Sequence, residues 1–403
     1  MTSPVDTTVK YFMSDMPGAP VMNGTAGAMI AVLDACLING FGLKTVDSLV
    51  VSGNVATMSI STGHSHTVDS VALIAGATPA DLNGEQRITA VTTTTVSFAT
   101  TGIANQTATG TITTKMAPAG WLKPFSGTNL AVYKSALPES TGMYLRVDDT
   151  ATTMTKVVGY ESMADISSGA GAFPSASQVP GGGQWAKSTY ANSTAVNWAV
   201  ISDGRSFIVH IAISSGYNAS YIQGHTRGFG DFIPFKPAGD VYACSLNYAV
   251  STTPAAASTG TLDAYRGSYN TNALPRGVSG LGGSALYYLC SYIGTNANEE
   301  SGSDTGSGSL GRFPSSVDGG LRLSKSYFGT ASGNADPRGE LAGLYYVPHS
   351  FMADSFRAGD KLVGTGPIAG RTLLALNPSA GNPTTFSNTS AGVSFVDITG
   401  PWR

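Results

Sequence analysis

Apolar and polar positions alternate along most of the chain. In SFIVHIAIS, Phe207, Val209, Ile211 and Ile213 fall on one face, and Ile208, His210 and Ala212 on the other. That two-residue period is the signature of a β-strand. The segment follows Asp203-Gly204, a favoured turn pair, so WAVISDGRSFIVHIAIS predicts a β-hairpin. TTVSFATTG, NLAVYKSA, GMYLRVDDT, TKVVGYESM, ALYYLCSYIG, GRTLLALN and GVSFVDITG predict further strands, each bounded by Gly, Asp, Asn, Ser or Pro. A different period occurs once, in NGTAGAMIAVLDACLINGFG. There Met29, Ile30, Val32, Leu33, Cys36 and Leu37 recur at spacings of three and four, which predicts a helix. Asn23 or Thr25 is the expected cap, and Asn39-Gly40 the left-handed stop. The apolar face of this helix has two readings: packing on its own domain's sheet, or burial against a neighbouring subunit. The expected fold is mainly β, with sandwich or barrel domains and one N-terminal helix.

A length of 403 residues implies two or three domains. The pattern divides into an N-terminal arm and helix (1–45), a small β-module (46–115), a β-rich region (116–250) and a C-terminal β-rich region (251–403). The last two are readable as one unit, with STTPAAASTG as the joint. Three segments read as loops: Ser167–Trp185, Ser251–Leu262 and Gly294–Gly311.

Composition changes the functional picture. Charged residues are 12% of the chain, about half the usual ~25%, and the net charge is −3. No basic surplus exists to neutralise phosphates, so a nucleic-acid partner is not expected. With 17 Tyr, 15 Phe and 4 Trp the chain folds rather than staying disordered. A surface built of hydroxyls and glycine suits permanent contacts, so a homo-oligomer is expected. Cys36, Cys244 and Cys290 stand apart in apolar surroundings and read as small buried hydrophobes. The opening MTSPVDTTVKYFMSD lacks a basic segment followed by an apolar core, so no secretory leader is expected. No apolar run approaches a membrane span, and a soluble protein without a membrane partner is expected.

Candidate chemistry is sparse. His64 and His66, two residues apart, share one face of an extended segment, a spacing that suits two metal ligands, with Asp69 nearby. The alternative is a turn leading into the β-module. His210, His225 and His349 are scattered, and a strand histidine such as His210 is expected to be satisfied by a neighbour. Glu299, Glu300 and Asp304, with Asn296 and Asn298, could supply oxygen ligands to calcium, but their spacing departs from the EF-hand loop and a solvated loop is expected. Asp148 and Asp149 are adjacent on a strand end, so they point to opposite faces rather than converging across a groove. GVSGLGGSAL (Gly277–Leu286) is glycine-rich but lacks the lysine of a phosphate cradle, and reads as a loop before a strand. No nucleophile elbow or metalloprotease helix occurs. No catalytic residue, metal or cofactor is assigned, and a non-enzyme is expected.

The stretch from Gly-His, through SVALIAG and LNGEQRITAV, to TTVSFATTG resembles the small β-barrel half-domain carrying the first catalytic cysteine region of ubiquitin-activating enzymes. The likeness covers about Asp47–Lys115, which contains no cysteine, so it implies an inserted small β-barrel and no ligase chemistry. On that likeness His64 and His66 mark the mouth of the module. Four further segments resemble virion structural proteins of tailed bacteriophages: Met16–Val51, Gly120–Ser135, Gly370–Asn377 and the terminal FVDITGPWR. That resemblance implies a particle component, assembled in the bacterial host and resident in the virion, with itself and other virion proteins as partners; the tail or tail fibre is the expected place. Two alternatives remain: a capsid decoration or head spike, and a receptor-recognition protein binding host polysaccharide, with Trp185 and Trp198 as contributors. Trp402 beside Arg403 reads either as a subunit anchor or as the closure of its own last strand.

Overall fold

The computed structural model describes residues 3–214, 223–254, 261–262, 271–291, 311–329, 337–349, 352, 355–378 and 393–403. Among the described residues the chain is mainly β, with a single short α-helix.

Residues 44–116 curl into a barrel. Strands Val71–Ala75, Gly84–Val91, Thr95–Ala99, Val55–Ser59 and Ser48–Ser52 pair antiparallel in that order. One continuous segment then serves both ends of the row. Gln106–Thr107 pairs with Ser48–Ser52, and Thr113–Met116 pairs with Val71–Ala75. Between them Thr109 bridges Thr78. Closure leaves few unpaired strand edges. Leu49, Met58, Ile74, Leu82, Ile88, Val96 and Phe98 fill the interior.

The second layer is an antiparallel meander of Trp121–Gly127, Leu130–Ser135, Tyr144–Asp148 and Met154–Tyr160, joined on its far side by Gly183–Ala186. It packs on the large sheet, which begins with Lys10–Met13, Trp198–Ser202, Ser206–Ile211 and Gln223–Asp231. The aromatic seam between them includes Trp121 edge-on to Phe207, with ring centroids 5.2 Å apart, and Phe173 stacked on Phe229. The hairpin turn at Asp203-Gly204 is present, with Ser202 opposite Phe207. Both faces of Trp198–Ser202 are buried, so its neighbour's alternation separates two interiors rather than core from solvent.

The large sheet continues through Cys244–Asn247, Asn272–Leu274, Ala285–Ser291, Ser324–Gly329, Gly339–Tyr346, Ser394–Asp397 and Thr372–Pro378 to the end strand Lys361–Val363. It bends back on itself: Gln223-Gly224 also pairs, in parallel, with Asn377-Pro378. One core runs from Val9 to Trp402 through both the 116–250 and 251–403 regions. A smaller cluster around Val347, Met352, Leu373 and Phe395 fills the C-terminal lobe.

The helix is shorter than its sequence period. Ala28–Leu33 is α-helical and Asp34–Asn39 continues as a π-helix. Gly27 has φ 84°, which ends the helix on its N-terminal side after Thr25. Asn23 Oδ1 instead accepts from the Thr25 amide and hydroxyl, a local turn rather than a cap. Gly40 stops the helix with positive φ, but its ψ of 176° is extended, not left-handed helical. Met29, Val32, Leu33, Cys36 and Leu37 are buried in the chain's own core, which is the first of the two readings of this face.

Candidate functional site

Several charged side chains lie where distant parts of the chain meet. Arg87, on a barrel strand and 3% exposed, is held by backbone oxygens alone. Its Nε and Nη2 donate to Asp6 O, Nη2 also to Val9 O and Thr399 O, and Nη1 to Asp69 O and Ile398 O, all within 2.6–3.1 Å. A planar fork of donors suits such a cage. The barrel is thereby fastened to both the N-terminal arm and the C-terminal tail. Lys361 adds a second tie, donating to Tyr11 Oη (2.9 Å) and Val68 O and pairing with Asp69.

The second node is fully buried. Asp149 and Lys187 both have side chains 0% exposed, with Lys187 Nζ 2.5 Å from Asp149 Oδ1. Thr155 Oγ1 donates to the same oxygen at 2.7 Å. Asp149 Oδ2 accepts from the amides of Met29 (2.8 Å) and Ile30 (3.3 Å), and so caps the helix from 120 positions away. Lys187 also donates to Thr25 O and Ala151 O, each at 2.8 Å. Burial pushes the Asp149 carboxyl above the usual carboxylate range, against the pull of Lys187, and pushes the Lys187 amine below its ordinary value. Asp148 faces the other way, 3.8 Å from Arg146, so the adjacent carboxylates diverge as their strand position requires.

The third node closes the C-terminus. Trp402 is 6% exposed and donates its indole N–H to Asp397 O at 2.8 Å. It lies over Gly343, whose φ is 74° and where a Cβ would come within 2.2–2.6 Å of the indole. Arg403 donates to Asp203 Oδ2 (2.7 Å), Ser206 Oγ (2.7 Å) and Asp231 O (3.0 Å). Trp402 therefore closes its own domain.

The histidines do not converge on one centre. His64 Nε2 donates to Thr92 O, and His66 Nε2 meets Thr114 Oγ1 at 2.9 Å. Their rings stack 5.9 Å apart. Asp69, the nearby carboxylate, is paired with Lys361. Among the described residues no group of three His, Cys, Asp or Glu could hold a metal. Burial, and then His64, lower the pKa of His66 to about 3. His210 Nδ1 meets Thr226 Oγ1 at 2.9 Å. His225 is buried beside Arg227 and His210, and burial holds its pKa well below the ordinary value. His349 Nε2 accepts from the Arg322 amide. Cys36 and Cys244 are buried thiols whose pKa values burial raises. The Cys290 side chain and the acidic group Asn296, Asn298, Glu299, Glu300 and Asp304 lie outside the described residues. Trp185 and Trp198 are 0% and 2% exposed, so neither offers a face to a sugar, contrary to the sequence expectation. Their indoles are spent on Asn247 O and Pro20 O.

One surface groove among the described residues is a feature the sequence did not mark. A groove of about 570 Å³ lies beside the end strand Lys361–Val363, floored by Leu321, Leu323, Leu362, Ile368 and Leu373. Tyr345 lines it, and burial raises its pKa, so the phenol stays protonated. The cations on its rim are neutralised: Lys325 pairs with Glu340 at 2.6 Å and Arg322 with Asp318. Such a lining suits apolar or hydroxyl-bearing groups. Most of its residues come from two segments some forty positions apart, Gly320–Lys325 and Leu362–Ile368, joined by Tyr345 and Leu373, and neither segment alone marks a site.

No protein-family model matches the chain, and no curated protein matches it.

Proposed function

We propose that the chain is a structural component of a bacteriophage particle, in the tail or tail-fibre apparatus, and acts by assembly rather than catalysis. The observation that carries this reading is where the charges go. Arg87, Lys187, Arg338 and Arg403 are committed inside the molecule to residues from distant parts of the chain. A chain with 12% charged residues that uses several of them this way leaves few ions for its outer surface. Such a surface carries little long-range repulsion between copies, and side chains locked at segment junctions favour slow unfolding. Both properties suit a part that must persist outside a cell. The resemblance of Met16–Val51 and FVDITGPWR to tailed-phage virion proteins points the same way.

Proteomic mass spectrometry of purified particles from the culture that encodes the chain tests the reading. Its peptides are expected in mature particles at roughly a few to a few tens of copies, following closed symmetry. Hundreds of copies would move it to the head as a decoration, and absence from mature particles would refute a structural role. The neutral groove beside Lys361–Val363 favours one second reading, recognition of host polysaccharide. Binding of the isolated chain to that polysaccharide without release of reducing ends would support it.

A further inference from the structure

We propose that Lys187 and Asp149 condense to an intramolecular amide, a covalent cross-link that locks the five-stranded sheet. Asp149 follows strand Tyr144–Asp148 and Lys187 follows Gly183–Ala186, the two neighbours of the central strand Met154–Tyr160. A bond between them would span that strand.

The geometry prepares both partners. Lys187 Nζ has three acceptors: Asp149 Oδ1, Thr25 O and Ala151 O. Once one proton passes to Asp149, the remaining two hydrogens stay on the carbonyls, and the lone pair is left facing the carboxyl group. Burial, with both side chains 0% exposed, favours this neutral pair over two buried ions. The amides of Met29 and Ile30 point at Oδ2, where charge develops when nitrogen adds to the carboxyl carbon. The Thr155 hydroxyl donates to Oδ1, the oxygen that must leave.

The step balances without a co-reactant. Nζ forms a bond to Cγ, and the Cγ–Oδ1 bond breaks. Oδ1 departs as water with two of the three ammonium protons. The third remains as the amide N–H, and Oδ2 becomes the amide oxygen, still accepting from Met29 and Ile30.

Intact-mass measurement of the purified full chain, followed by tryptic mapping, decides it. The expected mass is lower than the sequence mass by one water. The digest should contain residues 147–156 joined to 157–205, because trypsin cannot cut after a modified Lys187. Lys187→Met and Asp149→Ala should each restore the water. A wild-type chain of full sequence mass, cut normally after Lys187, overturns the proposal whether or not the variants fold. So does a water loss that maps elsewhere, such as the Asp203-Gly204 or Asp318-Gly319 pairs, which lose water by cyclising.

Discussion

Replacing Arg87 by Met removes the guanidinium while keeping an unbranched apolar stem of similar reach. Five carbonyls then lose their donor: those of Asp6, Val9, Asp69, Ile398 and Thr399. Asp6 is exposed and Asp69 and Thr399 are half-buried, so water can reach those three. Val9 and Ile398 are both 0% exposed. Leaving a buried acceptor unpaired costs ~1–3 kcal/mol, so two cost about 2–6 kcal/mol. The ~3–5 kcal/mol seen when one side of a buried charged contact is removed lies inside that range and is the loss expected here. The loss falls on one junction, because four of the five carbonyls belong to the arm and the tail while the arginine belongs to the barrel. Hydrogen exchange should therefore accelerate in peptides covering residues 4–10 and 397–403. At 1.4 kcal/mol per decade the acceleration is roughly a hundredfold to a few thousandfold. Amides inside the barrel core, such as those of Met58 and Val96, should keep most of their protection. Unchanged exchange at both termini would refute the clamp, and uniform acceleration through the barrel would show that Arg87 serves the barrel's own folding instead.

Three further outcomes are expected. Stability should fall as pH drops from 6.5 toward 3: the folded pKa of His66 is depressed to about 3, so unfolding takes up a proton throughout that window. His66→Asn should lessen the slope of unfolding free energy against pH there by about 1.4 kcal/mol per unit, one proton's worth, and an unchanged slope would contradict a neutral buried His66. Gly343→Ala places a methyl inside the Trp402 indole at a positive φ; about 2–4 kcal/mol of destabilisation and a red-shifted tryptophan emission are expected, and wild-type emission with wild-type stability would disprove the contact. Leu323→Asp in the groove floor should abolish any polysaccharide binding measured by calorimetry while leaving the far-ultraviolet circular dichroism unchanged; retained binding would place the ligand elsewhere.

The strands were legible because their signal is local. The Asp203-Gly204 hairpin, Leu130–Ser135, Tyr144–Asp148 and Ser394–Asp397 all sit within the alternating runs that predict them. The helix was legible in its apolar face but not in its ends. Its capping group, Asp149, lies 120 residues downstream, and no pattern of neighbours could connect them. The same holds for the nodes that organise the molecule. Arg87 reaches Ile398 across 311 positions and Arg403 reaches Asp203 across 200. The two tryptophans expected at a sugar surface were misplaced for a related reason. Aromatic residues in a low-charge chain read equally well as platform or as core, and only the pairing of the sheets decides.

Lys44-Thr45 and Thr113-Thr114 are adjacent partners, so the chain departs for the barrel and returns from it side by side. A detour that starts and finishes at one spot asks nothing of the host's path, whatever its length. Such a module is a plug-in cassette: lineages could trade it for another, or for a two-residue turn, without re-threading the sandwich beneath. What resists the exchange is the pair of cationic side chains, Arg87 and Lys361, that tie it down.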